Sequence, residues 1–323
     1  MSTVKKSPMQ VHRADAAFVA AADRHRGAVV AIGNFDGLHR GHQALFAAAR
    51  TLATRRGAAV GVVTFDRHPV CVLAPHLAPP LILRVDEKLA GLDAAGVDVV
   101  YVVPFDTALA ALSPAEFCQR VLVDTLAVSG VVVGEGFKFG HRAAGRFADL
   151  QAVFHDDAIA VASVRDNGYV CSSSKIRELV LQGHVEAAGA LLGRPYSIEG
   201  VVVRGDGRGR TIGIPTANID SQRELMPRVG VYATIAVLDD GRQIPSVTNV
   251  GLRPTFQGEG VRVEAHLFDL DEELYGRRLR VDLIARLRDE QRFNGVDALV
   301  AQIHADSAAA AAIVVAHIAK GPA

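Results

Sequence analysis

His39 and His42 stand one helical turn apart in the run Gly33-Asn34-Phe35-Asp36-Gly37-Leu38-His39-Arg40-Gly41-His42, which closes an apolar stretch and opens a helical pattern. Imidazoles at that spacing share one face of a helix start. The unpaired N–H groups and the positive dipole end found there favour an anion. Gly33 and Gly37 permit the tight turn before it. The chemistry on offer is the holding of phosphate, with two imidazoles flanking one triphosphate. A lone histidine at a helix start is more often a cap or a solvated residue. Two of them, with two glycines and an aspartate directly after a strand, form a far more specific constellation.

Three further segments carry groups of the same kind. Ser172-Ser173-Ser174-Lys175-Ile176-Arg177 reads as a helix start, with cap hydroxyls and an arginine one turn on whose guanidinium is a fixed fork of donors. Gly205-Asp206-Gly207-Arg208-Gly209-Arg210 leads into Gly213-Ile214-Pro215-Thr216-Ala217-Asn218, a glycine-rich turn suited to cradling phosphates. It lacks the closing Gly-Lys-Ser/Thr of a Walker A loop, and Pro215 stops the helix that a dinucleotide fingerprint needs. On its glycines alone it reads equally well as a flexible hairpin. From Val261 to Phe268 apolar residues alternate with Arg262, Glu264 and His266, so Glu264 projects from the polar face of a strand. By itself such a carboxylate is usually solvated.

These residues need a scaffold. From Ala28 to about Gly183 apolar strands at Ala28–Ile32, Ala59–Thr64, Val97–Val103, Gly130–Val133 and Ala158–Val164 alternate with helical stretches. One such stretch is Pro114–Leu126, with Ser113 and Glu116 as a capping box. The pattern predicts a doubly wound α/β domain with a parallel sheet, whose ligands bind beyond the carboxyl ends of the strands, where His39, His68 and the turn after Val133 fall. Beyond Arg194 β-branched alternation takes over, with strands at Val201–Arg204, Val231–Val237, Ser246–Val250, Val261–Phe268 and Leu279–Ala285 and a helix at Val296–Ile318. That is an all-β domain, a small closed or nearly closed barrel with a terminal helix. The change of texture near Val185–Gly193 divides the chain into residues 1–187 and 188–323.

Composition narrows the function classes. Half of the 323 residues are hydrophobic and 22% are charged, as in ordinary globular proteins of two domains. Lys plus Arg and Asp plus Glu both total 35, so no global field draws in nucleic acid or an anionic membrane, and phosphate binding must be local. Cys71, Cys118 and Cys171 form no close pair, which argues against a disulfide framework or zinc knuckle and suits a reducing cytosol. Met1–Gln10 has Lys5 and Lys6 but no apolar core behind them, so no signal peptide is expected. Ala308–Ala319 falls short of the roughly 20 residues of a spanning helix and reads as a packed terminal helix. A cytoplasmic protein is expected, without nucleic-acid or membrane partner. No pattern sets an oligomeric state.

The histidine run resembles the H-x-G-H signature of the nucleotidyltransferase superfamily, and in its longer form the G-x-F-D-G-x-H-x-G-H of the prokaryotic bifunctional riboflavin kinase/FMN adenylyltransferases. Thr64-Phe65-Asp66-Arg67-His68-Pro69 is similar to that family's T-F-x-P-H-P, and Ser172–Arg177 to its S-S-T-x-I-R. Gly193-Arg194-Pro195, Gly213–Asn218, Asn249-Val250-Gly251-Leu252-Arg253-Pro254-Thr255 and Val263-Glu264-Ala265-His266 look like the kinase half in order and approximate spacing. The resemblance covers nearly the whole chain. It implies a Rossmann-like nucleotidyltransferase domain followed by a β-barrel riboflavin kinase domain, making FMN from riboflavin and FAD from FMN with ATP and Mg²⁺.

The resemblance also implies roles. His39 and His42 would contact ATP phosphates, within a loop that includes Gly33, Phe35, Asp36, Gly37 and Gly41, aided by His68, Ser172, Ser173 and Arg177. No protein base is needed there, because the attacking group is a phosphate that is mostly dianionic at pH 7. The kinase step does need one, and Glu264 is implied as the base. Gly207, Gly209, Gly213, Pro215, Asn249 and Arg253 would surround the nucleotide and flavin, with Thr216 and Asn218 holding Mg²⁺. Val133–Gly140 departs from the family's V-G-x-[DN]-F-x-F-G by Gly136, Arg146 stands where Asp is usual, and Arg67 replaces a common Pro. Two other readings stay open on the residues alone: a kinase with a regulatory nucleotide- or flavin-binding first domain, and a nucleotidyltransferase for another phosphorylated acceptor.

Overall fold

The computed structural model describes residues 8–13, 25–205, 209, 212–255 and 258–321. The chain divides into two compact units, Met1–Pro79 with Leu83–Arg165, and Pro80–Ile82 with Asp166–Ala323.

The first unit is built on six parallel strands, β1 (Gln10–Arg13), β2 (Val29–Ile32), β3 (Val60–Phe65), β4 (Val99–Val103), β5 (Gly130–Gly134) and β6 (Ala158–Val161), ordered β1-β4-β3-β2-β5-β6. Successive side chains of a strand point to opposite faces, and both faces here are covered. Val29, Ala31, Val60, Val62 and Val100 pack with Leu45, Phe46, Ala49 and Leu52 of helix α1 (Arg40–Arg56) and with Leu92 of α2 (Val85–Ala94). Val30, Ile32, Val63, Val99 and Val131 pack on the other side with Phe117, Leu122 and Leu126, and with Leu150 and Phe154 of α3 (Phe147–Phe154). The doubly wound expectation holds. The chain runs outward from β2 to β3 and β4, then returns to β5 and β6 on the far side. The order therefore switches between β2 and β5, the place where such sheets open a crevice at their carboxyl ends.

Local detail departs from expectation in two places. The Ser113 and Glu116 capping box forms, but from Phe117 to Thr125 the helix is wound as a π-helix. The edge strand β1 had no apolar signal, because its burial alternates between intermediate and exposed.

The second unit carries α4 (Ser173–Gln182) and α5 (Val185–Leu192), followed by a closed barrel of six strands. Its strands are β9 (Tyr196–Val203), β10 (Ala217–Asp220), β11 (Gly230–Leu238), β12 (Gln243–Thr255), β13 (Gly258–Leu267) and β14 (Arg278–Arg288). A short hairpin, β7 (Arg165–Asp166) and β8 (Tyr169–Val170), precedes them. Tyr232, Thr234, Thr248, Val250, Val263 and Ala265 are buried and fill the interior, with Thr234 Oγ1 hydrogen-bonded to Ser246 Oγ at 2.7 Å and Thr248 Oγ1 at 2.8 Å. The alternate residues Val231, Ala233 and Val247 face outward and meet Ala310 of the terminal helix α6 (Val296–Ala319), while Ile235 and Ile284 meet its Val314.

Two expectations need correcting here. Strand β10 was missed because a four-residue strand carrying Asn218 and Asp220 has no alternation to read. The helix expected at Val296–Ile318 forms, as α6, but the apolar stretch Ala308–Ala319, expected to be too short to span a bilayer, is only the second half of its 24 residues. Its best window has mean hydropathy 1.6, long and apolar enough to cross a membrane by length and composition alone.

Candidate active sites

The loop between β2 and α1 is held from several directions. Phe35 and Leu38 take positive φ values of 51° and 47°, and Gly37 takes 94°, which folds the loop back on itself. The Phe35 side chain is fully buried, with its ring 5.1 Å from those of both His42 and Phe46. Asp36 is buried too, and its Oδ1 accepts a 3.0 Å hydrogen bond from the Leu83 N–H. The side chains of Phe35 and Asp36, expected to bind ligand, are therefore turned to the protein, because the loop needs an apolar anchor and a tether to stay folded. Gly33 lies under the Phe35 ring, where a Cβ would come within 3.2 Å.

His39 caps α1, with Nδ1 accepting from the His42 N–H at 3.3 Å, and Gly41 lies in the first turn. The His39 and His42 rings are stacked, with centroids 3.6 Å apart and 20° between planes. Nδ1 of His42 is shut off from solvent and has no hydrogen-bond partner. Burial, then the neighbouring His39, then Lys88 push His42 well below the usual imidazole range. A neutral His42 stacked on the cap, at the positive end of a helix, is an arrangement for an anion.

Gly33 and Asn34 also edge a cleft of about 630 Å³ in the first unit. Its walls are aromatic: Phe65 and Phe105 meet edge to face at 5.3 Å, and Phe137 and Phe139 stack at 5.6 Å. Lys138, His141 and Arg142 supply cationic or hydrogen-bonding ends. Sequence reading did not find this cleft, although Phe65, Phe137 and Phe139 lie inside motifs it quoted. His68 precedes Pro69, the N-cap of the short Val70–Leu73 helix, and its Nδ1 accepts from the Val70 N–H at 3.3 Å. Gly136 is exposed, and a Cβ there would meet nothing within 4 Å. Arg146 opens α3 and bonds the carbonyls of Ala143 and Gly145, while Arg67 pairs with Asp66 at 2.9 Å.

Ser172, Ser173 and Arg177 belong to the second unit. Ser172 is the N-cap of α4, its Oγ accepting from the Lys175 N–H at 3.3 Å, and Ser173 is the first helical residue. Arg177 is buried, with Nε donating to the Pro80 carbonyl at 2.8 Å. That bond commits one edge of its guanidinium to the backbone.

The barrel builds the second site. Directly paired residues on antiparallel strands share a face, and the register aligns Asn218 of β10 with Glu264 of β13, Glu264 with Asn249 of β12, Asn249 with Val231 of β11, and Val231 with Arg288 of β14. This single outward-facing rung lines a cavity of about 470 Å³. Gly209, Pro215 and Thr216 line it as well, and the Pro215 carbonyl lies 2.8 Å from His266 Nδ1. At Gly205 a Cβ would push the Asn218 amide aside, and at Gly209 it would collide with the Ile214 backbone carbonyl, which cannot easily give way. Gly213 has φ +76°. Gly207 lies outside the described residues, as does the side chain of Arg253.

Glu264 is paired with Arg262 at 3.3 Å, and Asn249 donates to Glu290 Oε1 at 3.1 Å while its own Oδ1 has no partner. The far wall consists of Phe293 with Leu299, Ile303 and Asp306 of α6. Asp306 grips Arg288 through Nε at 3.0 Å and Nη2 at 2.7 Å. Sequence reading missed this wall. The only available signal was Asp306, a charge among alanines. Among the described residues no group of three or more His, Cys, Asp or Glu could hold a metal by itself.

Comparison with known proteins gives a family for each half of the chain. A riboflavin kinase family model matches residues 192–314, and an FAD synthetase family model matches residues 21–175. The chain is 40% identical over 284 residues to a bifunctional riboflavin kinase/FMN adenylyltransferase of Escherichia coli K12, covering 87% of this chain and 90% of that one. Identity to the protein of the same description from Pseudomonas fluorescens is 40% (90% and 94% covered), and from Bacillus subtilis 36% (86% and 90%). A Streptococcus pneumoniae crystal structure described as a macrolide-efflux protein superposes with TM-score 0.80 at 35% identity, covering 87% of this chain and 92% of that one.

Proposed function

Since the chain belongs to the bifunctional riboflavin kinase/FMN adenylyltransferase family, and so phosphorylates riboflavin to FMN and adenylylates FMN to FAD, we propose how its residues divide that work. Residues 188–323 carry the kinase and residues 1–187 the adenylyl transfer. The observation that carries this reading is the barrel rung, which gathers Asn218, Glu264 and Asn249 from three strands onto one wall of one cavity.

In the kinase step Glu264 takes the proton of riboflavin's primary hydroxyl. The oxygen attacks the γ-phosphorus of ATP, the bond to the β–γ bridging oxygen breaks, and ADP leaves. Arg262 holds the carboxylate in place. The flavin ring rests against Phe293, Leu299 and Ile303, while Gly209 and Gly213 carry the phosphates past backbone that has no Cβ in the way, beside Pro215. Thr216 and Asn218 offer neutral oxygens beside Glu264, a donor set that suits a hard cation. Mg²⁺ held there would neutralise charge on the ATP phosphates.

In the transfer step an FMN phosphate oxygen attacks the α-phosphorus and pyrophosphate leaves, with no proton to move. His39, His42 and the α1 N–H groups orient the triphosphate and oppose the growing charge. The Phe-lined cleft takes the flavin ring, and Lys138, His141 and Arg142 its phosphate. The chain acts in the cytoplasm on small molecules alone.

The test is a pair of variants in the full chain. Glu264→Gln should lose FMN formation but convert supplied FMN to FAD, and His39→Ala with His42→Ala should do the reverse. Loss of both products in either variant, with the fold intact, would sink the division of labour.

A further inference from the structure

Lys88 lies on α2, far in sequence from every motif of either site. Two contacts aim it. Gly91, one turn further along the same helix, packs against Leu38 so closely that a Cβ would collide with that side chain. Just before the helix, the Leu83 N–H is tied to Asp36 at 3.0 Å. Both partners belong to the loop between β2 and α1, so α2 is docked onto that loop at two points. Between them the Lys88 ammonium reaches the Asn34 carbonyl.

Its bonding is poor. An ammonium carries three donors, and among the described residues the one hydrogen-bond partner of Lys88 is Asn34 O, at a long 3.5 Å. That same carbonyl already accepts from Thr64 Oγ1 at 3.3 Å. Asp36 and Asp66 attract Lys88, but Asp36 is tied to Leu83, and Asp66 to the Phe105 N–H at 2.8 Å and to Arg67. Burial opposes the charge and lowers the pKa of Lys88, and its charge in turn helps keep His42 neutral. A partly buried cation with so little to bind is costly unless an anion completes it.

We propose that Lys88 is a catalytic residue of adenylyl transfer, contacting the phosphates of ATP and stabilising the pyrophosphate as it leaves. When the FMN oxygen bonds to the α-phosphorus, the bond to the α–β bridging oxygen breaks and its electron pair stays on pyrophosphate. An ammonium beside the stacked histidines opposes that charge where the neutral His42 contributes only hydrogen bonds. The inference rests on the β2–α1 loop being the adenylyl-transfer site.

The test uses the full chain, whose kinase activity reports folding independently. Lys88→Met should lower kcat/KM for ATP in FAD formation about 10²-fold and weaken product inhibition by pyrophosphate, with FMN formation unchanged. Lys88→Arg should recover part of both. Normal FAD formation in Lys88→Met while His42→Ala is inactive would overturn the role of Lys88. Normal FAD formation in both would overturn the loop as the site. A measurement on wild type guards against a misfolded variant: reductive methylation of Lys88, read by mass spectrometry, should slow when magnesium pyrophosphate is present. Equal rates with and without it would also overturn the proposal.

Discussion

Arg262 Nη2 stands 3.3 Å from a carboxylate oxygen of Glu264, two residues further along the same outward face of β13. The strand thus delivers the proposed base together with its counter-ion. Replacing Glu264 by Gln keeps the shape and removes the proton acceptor, so FMN formation should fall about 10²–10⁴-fold. FMN supplied from outside should still become FAD. Chromatography of riboflavin, FMN and FAD after incubation with Mg-ATP reads both steps, and undiminished FMN would remove Glu264 from the reaction.

The stacked histidines give the complementary expectation. With His39 and His42 both replaced by alanine, α1 loses its cap contact and the anion site loses its imidazoles. Pyrophosphate release from ATP and FMN should become undetectable while riboflavin is still phosphorylated. Robust FAD synthesis by the double variant would refute the phosphate-binding assignment.

His42 also makes stability depend on pH. Folded, its pKa lies well below the 6.5 of a free imidazole. Above 6.5 neither state binds the proton and the folded state is undisturbed. Below it the unfolded chain protonates first, so stability drains away as the pH falls toward the folded value. Between about pH 7.5 and about pH 5.5 the melting temperature of wild type should drop further than that of His42→Asn. An equal drop would mean that His42 is not the group responsible.

Asp306 and Arg288 form a two-point ion pair with side chains only 8% and 16% exposed, and Gln302 adds a 2.9 Å bond to Asp306. Asp306→Asn strands the guanidinium at the cavity wall. Breaking such a buried pair should cost about 3–5 kcal/mol, read as an earlier urea transition of the barrel's circular dichroism. A transition at the wild-type midpoint would show that Arg288 finds another partner.

Gly136 is the main departure from the family pattern, and its Cβ direction is open. Gly136→Asn should therefore fold normally and raise the rate of FAD formation by restoring a hydrogen-bonding side chain beside Phe137 and Lys138. A melting temperature and FAD rate both identical to wild type would show that nothing is missing at this position.

What could be read from sequence followed what is local. The histidine loop was legible because strand, glycine turn and helix start are contiguous, and Glu264 because alternation along one strand fixes its face. Lys88 was hidden, since only the docking of Gly91 on Leu38 turns a helix lysine toward the loop. Phe35 misled for the opposite reason: it sits inside the motif, yet the turn at φ 51° drives its ring into the core. Strand β10 was too short to show a period. In α6 alanines surround the helix, so nothing marked Leu299, Ile303 and Asp306 as the face that closes the barrel site.

The barrel rung makes the proposed kinase centre an all-or-none object. Side chains alternate along each strand, so a slip of one residue between β13 and either neighbour would move Glu264 out of line with Asn218 or Asn249 and exchange polar wall for apolar filling. A closed barrel has no free edge along which such a slip could be relieved. No partly ordered barrel can therefore be partly active, and the rate of FMN formation by a sample counts its correctly closed molecules.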